Sequence, residues 1–565
     1  VSIERLLSAV AALAARRPWS VIGGAVALAL GATVLALGLR PSAAADTFVG
    51  KSSSTYTATQ RFYQSFGEEP VQVLVQGSVQ QLVLTSDLPR LAGLEGCLSG
   101  NVPAKAFAQE GGTNGPCAQL ARAHTVKVVL GPGTFINEAA ERIDAQLSSQ
   151  NAQAEHAARQ AEVVVRGAAL SKGLSAAEAQ KFGAQASRIT LTRYAEEVLS
   201  LGLHYGLNSL PSVSEPGFVS ALVFSDSAPR SGTPKQRFAY LFPSREMALV
   251  SVRMRAGLSE AQHNRTLALI RAATAMPQWQ LQHGERYLVT GEPAIVSDLT
   301  GSISHSLELL LIAVALVMAL ALGLVFSGRP RLLPLAIAAL TVALVFGGLA
   351  LVSGQLTIAQ VAVIPILVGL AVDYTIQLQS RTAATSILLA CLASIAAFLV
   401  FELSPVPMVR GFGVLLAAGI AVAFVCALTV GAAALQLVER VRPPRIGGWL
   451  DDAWQGAREL VQDNPLSRAV SRAALVLAVR HPGRVLAVGA ALAALGWGLD
   501  TQIAVQTDIT KLVPQNMASL HNLHTLERES GVGGEIDLMV SGNNLTKAHT
   551  IEWMGAYQTA VLKRY

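Results

Sequence analysis

Residues 361–381 read VAVIPILVGLAVDYTIQLQSR. This is an apolar run long enough to cross the ~30 Å hydrocarbon core of a bilayer, and it carries one acid, Asp373, well inside it. An ionisable group at such a depth costs at least about 2.5–3.5 kcal/mol on insertion scales. It persists by facing the interior of a helix bundle and by finding a partner or accepting a proton. A carboxyl in apolar surroundings favours its neutral form, which suits a group that loads and releases protons as access to it alternates. Tyr374 follows directly and offers a hydroxyl to a carboxyl on a facing element. Gln377 lies one turn further on, on the same helix face as Asp373, and is a neighbour for the same relay. The plainer alternative is an Asp373 that only hydrogen-bonds a neighbouring helix. No other apolar run has a comparable central charge, since Glu308 and Glu402 fall at run ends, and this favours the functional reading. Gly369 beside Asp373, and Gly411, Gly413 and Gly419 further on, permit close helix packing. Pro365 bends the run that holds the acid.

Outward from this segment, six further apolar stretches make seven expected spans, at 19–40, 307–327, 332–353, 357–380, 382–402, 411–437 and 484–500. The last is short, with Arg484 placed to snorkel. Only 14% of the 565 residues are charged, against about 25% in soluble chains, and the deficit is concentrated in these runs. The net charge of +6 does not argue for nucleic acid, because the basic excess sits beside the apolar runs. Arg5, Arg16 and Arg17 precede the first span, Arg329 and Arg331 separate the second and third, and a basic stretch separates the sixth and seventh. These segments are expected on the cytoplasmic side. The first run is long and lacks a small-residue cleavage pattern, so it reads as a retained span rather than a signal peptide. The expected order is a cytoplasmic N-terminus (1–18), a first span (19–40), an outside α+β domain (41–305), a five-span bundle (306–437), a cytoplasmic linker (438–483), a seventh span (484–500) and the start of a second outside domain (501–565).

Within 41–305, VQVLVQG (71–77), KVVLG (127–131), FVSALVFS (218–225) and MALVSVRM (247–254) read as strands. Residues 135–205, rich in Ala, Glu and Gln, read as two long helices broken near SKGLS (171–175), and 259–274 as another helix. Cys97 and Cys117 flank a Gly/Pro/Asn-rich loop. A disulfide there suits an oxidising compartment outside the membrane, and two unpaired thiols are the alternative. No His or further Cys stands close enough in sequence for a zinc site, so neither metal nor cofactor is expected. His124, His204, Ser225 and Asp298 make no recognisable catalytic set, and no enzyme is expected.

One junction is physically awkward. QLQSR (377–381) is followed at once by TAATSILLACLASIAAFLVF, with no turn residues for the reversal that two antiparallel membrane helices need. A connecting segment is expected to be missing between Arg381 and Thr382; the alternative is one overlong kinked helix. The chain also repeats itself. AARRPWSVIGGAVALALGATVLALGLR (14–40) is similar to AVRHPGRVLAVGAALAALGWGLD (478–500), with Pro18 and Pro482 at the helix starts. QRFYQSFGEEPVQVLVQG (60–77) then corresponds to HTLERESGVGGEIDLMVSG (524–542), each a helix, a Gly turn and a strand ending in Gly. Both copies start on one side, so the repeats are parallel. The expected fold is a polytopic α-helical membrane protein with α+β extracytoplasmic domains, built from duplicated halves of one plus five helices, the second half truncated.

GLAVDYTIQLQSR resembles the Asp-Tyr motif of the MMPL (mycobacterial membrane protein large) branch of the resistance-nodulation-division (RND) superfamily, including its hopanoid-transporter-like members. YLVTGEPAIVSDLTGSISHSL (287–307) is similar to that family's lead-in to the second span, and SPVPMVRGFGVLLAAGIAVAF (404–424) to its connection between the fifth and sixth. The resemblance implies porter-type outside domains and a multi-pass protein of the bacterial inner or plasma membrane. It implies export of lipids or other hydrophobic small molecules, driven by proton influx through Asp373 and Tyr374 working with an equivalent pair in a tenth span. Homo-oligomers or accessory envelope proteins are the implied partners. The rival readings are a multidrug efflux pump of the same superfamily, and a sterol-sensing or receptor-type protein without vectorial transport, against which Asp373 counts. No GxxxxGK[ST] nucleotide motif is present.

Overall fold

A computed structural model describes residues 3–42, 50, 53–101, 111–204, 212–225, 232–325, 332–379, 384–440, 476–501, 514–531 and 537–564. The Arg381–Thr382 junction and residues 441–475 of the basic linker lie outside the described residues. The strands are β1 (Arg40–Ser42), β2 (Pro70–Gln76), β3 (Val126–Leu130), β4 (Met247–Met254), β5 (Arg286–Thr290) and β6 (Gln355–Thr357). The chain divides into two units, one of residues 1–57 and 296–515, the other of residues 58–295 and 516–565.

The first unit is helical. Among the described residues, six helical stretches are long and apolar enough to cross a membrane: Pro18–Ala36, Leu333–Val352, Ala359–Leu378, Thr385–Leu403, Pro407–Val438 and Pro482–Asp500. The expected span at 307–327 is not among them. Its described residues belong to one longer helix, Glu292–Val325, whose apolar part, Leu309–Gly323, is shorter. Lead-in and span run on without a break because 292–325 contains no proline past Pro293, and its isolated glycines, Gly301 and Gly323, each cost only about 1 kcal/mol.

Small residues set the close crossings in this unit. A Cβ on Gly347 would lie 2.5 Å from Ala32 Cβ, and one on Gly419 would lie 2.9 Å from Leu367 Cδ1. The core of the unit includes Val363, Leu367, Ala371, Leu416, Ile420 and Ala423. Pro407–Cys426 passes into Ala432–Arg440 through a π turn at Ala427–Gly431. β1, just after the first of these spans, pairs in parallel with β6, which lies between the second and third. Pro18 and Pro482 both occupy the first turn of their helices. Their preceding residues share one backbone conformation, Arg17 at φ −126°, ψ 62° and His481 at φ −133°, ψ 58°. Both lie outside the α region, which a following proline disfavours in the residue before it.

The second unit is built on an antiparallel sheet of order β3-β4-β2-β5. Alternation sorts its residues to two faces. Val71, Val73 and Val75 of β2 and Ala248, Val250, Val252 and Met254 of β4 enter a large core with the helices Asp87–Ser99, Pro116–Ala123 and Glu260–Thr274. Leu74, Met247, Leu249 and Leu288 gather on the other face, where Leu526 of the helix Ala518–Ser530 joins them. That helix is anchored by Thr290 Oγ1 donating to Ser519 O at 2.6 Å and by Asn522 Nδ2 donating to Val289 O at 3.0 Å. Burial on both faces is why β2 reads as an almost unbroken apolar run.

The long polar stretch forms the helices Pro132–Ser171 and Ala176–His204, packed as a hairpin. Its reversal occurs at 172–175, with Gly173 at φ +82°. Residues 218–225 correct the expectation of a strand: Pro216–Val223 is a helix, with Pro216 in its first turn. A short apolar run bounded by turn residues fits either state by pattern, and a proline at the first helical position tips it. In the second copy of the repeat the helix ends at Gly531 (φ +68°), as the first ends at Gly67 (φ +93°). The expected strand does not follow, since the described residues 537–542 form none. β5 was not anticipated, because its five residues sit in what reads as the approach to a span.

Candidate functional site

The helix Val363–Gln379 carries the expected relay residues. Its start is set by Thr357, whose hydroxyl accepts from Gln360 N while Gln360 Oε1 accepts from Thr357 N at 2.9 Å, a capping box on the short helix Ile358–Val361. Pro365 has no N–H to give the carbonyl of Val361, and the two helical pieces part at Ala362.

Asp373 and Tyr374 point to different sides of this helix. Tyr374 is 3% exposed and meets Phe424 edge-on at 6.5 Å between ring centroids. Its hydroxyl is directed at Cys391 and Ser394 of the helix Ala384–Leu399. Asp373 is exposed, and Gln377 Nε2 donates to its Oδ2 at 2.8 Å. A Cβ built on Gly369, one turn earlier on this face, would meet nothing within 4 Å, and Ile366 is 39% exposed. Ile366 and Asp373 are exposed and Gly369 and Gln377 half-buried, so the four make one partly uncovered stripe with a carboxyl near its centre. Gly369 does not mediate a close crossing among the described residues. Gly413 does: its Cβ would lie 2.6 Å from Phe398 O. Gly411 approaches Gln360, at 3.1 Å from the amide nitrogen to a built Cβ.

Residues 136–386 match the family model described as the MMPL family. The match covers less than half of the chain. It includes Asp373, Tyr374 and Gln377, and it is consistent with an MMPL-type transporter of the RND superfamily. With the six apolar helices among the described residues, the match supports a multi-pass membrane protein and is consistent with a transporter. No curated protein matches the chain.

The second unit holds buried acids that the sequence did not announce. Cys97 and Cys117 are joined by a disulfide, which ties the helix Asp87–Ser99 to Pro116–Ala123. Two turns' worth of the former also carry Glu95, 1% exposed, at the N-terminus of the long helix Pro132–Ser171. Its carboxyl accepts from Gly133 N at 3.0 Å and from the backbone and hydroxyl of Thr134. Burial pushes this carboxyl up to about 7, against the opposing pull of the Thr134 and Gly133 hydrogen bonds. Gly131 makes room for it, as a Cβ there would lie 2.3 Å from Glu95 Oε1. Partners from distant parts of the chain leave no local motif, so the only sequence signal was a lone Glu inside an otherwise apolar helix face.

Proposed function

We propose that this chain is part of a proton-driven exporter of lipids or other hydrophobic molecules from the bacterial cytoplasmic membrane. Asp373 is the coupling acid in this reading. The observation that carries it is a carboxyl on the partly uncovered stripe of a membrane-length helix, held by Gln377 and bordered by a glycine that leaves room for a second helix. The MMPL match over the same residues supports the class.

The stripe suits an equivalent helix of a second bundle, bearing its own acid. Protonation removes the charge of Asp373 and weakens its bond from Gln377, because hydrogen bonds to an ionised acceptor are the stronger ones. The two bundles then re-pack, and their motion passes to the outside domains, between which a hydrophobic substrate leaves. One proton entering down the membrane potential releases about 2.3 kcal/mol per 100 mV, which supports transport without a nucleotide. Tyr374 is a positioning residue here: packed against Phe424, it fixes the rotation of the helix and so the direction of Asp373.

The test is export of a fluorescent lipid or dye by the full-length protein in vesicles with an imposed pH gradient. Asp373→Asn is expected to abolish gradient-driven export while the protein still inserts and folds. Export that survives this change, or wild-type protein that moves nothing under any gradient, refutes the reading.

A further inference from the structure

Asp87, His283 and Glu285 meet at the start of the helix Asp87–Ser99, and each offers a ligand atom within 4.8 Å of the others. Asp87 is wholly buried. Its carboxyl accepts from Gln282 N at 3.0 and 3.1 Å, from His283 N at 3.2 Å and from His283 Nδ1 at 2.7 Å, with Arg90 Nε at 3.8 Å. Thr85 Oγ1 stands 3.3 Å from His283 Nδ1. Taken alone, these contacts describe a carboxylate that pins the 280–285 loop to a helix start.

Glu285 does not fit that account. It is 7% exposed, and both carboxyl oxygens are buried with no hydrogen-bond partner. The backbone is shaped around it: Gly77 lies at φ +144°, and a Cβ there would sit 2.4 Å from Glu285 Cγ. A buried carboxylate with no partner costs several kcal/mol on general grounds, and buried charges in proteins are paired or bind metals. Here it points at a second carboxylate and an imidazole. Arg90 offsets one of the two negative charges at most, which leaves the cluster short of positive charge.

We propose that Asp87, His283 and Glu285 form a site for one divalent cation of the zinc class. One nitrogen and two carboxylate oxygens are ligands that such a cation accepts at ~2.0–2.2 Å. The His283 side chain is 38% exposed, so a water can fill the fourth position. The cation replaces the proton that His283 Nδ1 shares with Asp87, and it supplies Glu285 with the partner it lacks. Bound there, it joins the helix Asp87–Ser99 to the strand β5 that Glu285 precedes. This inference does not rest on the transport reading.

The experiment uses the full chain in detergent, stripped with a chelator and titrated with Zn²⁺ alone, with Ca²⁺ as the hard-cation comparison. Calorimetry is expected to give one Zn²⁺ per chain bound at least ten-fold more tightly than Ca²⁺, with a rise in melting temperature. Glu285→Gln is expected to melt no lower than the wild type without metal, because it removes a buried unpaired charge, and to lose the Zn²⁺ response. His283→Ala, at a partly exposed position, is expected to fold and to weaken binding at least ten-fold. Zn²⁺ binding that survives both substitutions is adventitious and overturns the proposal, as does the absence of binding to the wild type.

Discussion

Gln377 Nε2 donates to Asp373 Oδ2 at 2.8 Å, across one turn of the helix Val363–Gln379. A hydrogen bond to an ionised group is worth about 1.5–3 kcal/mol, so this bond is a measurable part of what holds the carboxylate. Gln377→Ala is expected to leave insertion intact and to lower gradient-driven export, though less than Asp373→Asn does. The measurement is initial export rate in the same vesicles, with both variants at matched protein levels. Equal rates for wild type and Gln377→Ala would remove Gln377 from the relay.

Two glycines separate packing from function. A side chain at Gly413 would collide with the Phe398 carbonyl at 2.6 Å, and backbone cannot swing aside as a side-chain tip can. Gly413→Val is expected to lower thermal stability by about 1–3 kcal/mol, the usual cost of overpacking. Gly369→Val meets nothing within 4 Å, so it is expected to leave the folding of this bundle unchanged. If a second bundle docks on the Asp373 stripe, the same change lowers export. Melting curves and export assays on the two variants read these effects independently.

Glu95 makes the second unit sensitive to pH in a defined direction. Its carboxyl is raised from 4.5 to about 7, first by burial, so the folded state holds a proton that the unfolded state releases. The stability this contributes is fully present below about 4.5 and is lost as pH rises through about 7. The shift corresponds to roughly 3 kcal/mol. Glu95→Gln is expected to flatten the fall in melting temperature between pH 5 and 7.5, as followed by circular dichroism. An unchanged pH profile would mean that Glu95 titrates normally in the folded protein.

The Cys97–Cys117 disulfide closes a loop with a sequence separation of 20. Loop-closure entropy assigns such a bridge about 3 kcal/mol, acting on the unfolded chain. Replacing both cysteines with serine is expected to lower the stability of the second unit by about that much. Cys391 and Cys426, free and buried, are expected to stay unreactive in the folded protein. Thiol labelling before and after denaturation checks both statements.

Where local pattern is strong, the residue string sufficed. β4 occupies the very residues of MALVSVRM, and the break in the long polar hairpin falls at SKGLS. Both are periodic and bounded by residues with firm conformational preferences. Where a run is short and apolar all round, pattern is ambiguous, and 218–225 folded as a helix because Pro216 begins it. Asp373 and Gln377 were legible because a charge stands out in an apolar run and helical spacing is regular. The opposite directions of Asp373 and Tyr374 were not legible. Neighbouring residues diverge by about 100° on a helix, and which side is covered depends on Phe424 and Cys391, far along the chain.

The apolar runs, the lone Asp373 among them, the two prolines that begin similar helices and the alternating strands all follow from the amino-acid order, because each rests on properties of residues within a turn or two of one another. The burial of Glu95 against Gly131 and Thr134, the meeting of Asp87 with His283 and Glu285, and the partly uncovered stripe around Asp373 came from packing alone. Glu95 and Thr134 are 39 positions apart and Asp87 and His283 are 196 apart, and no local preference encodes which distant surfaces will exclude water together.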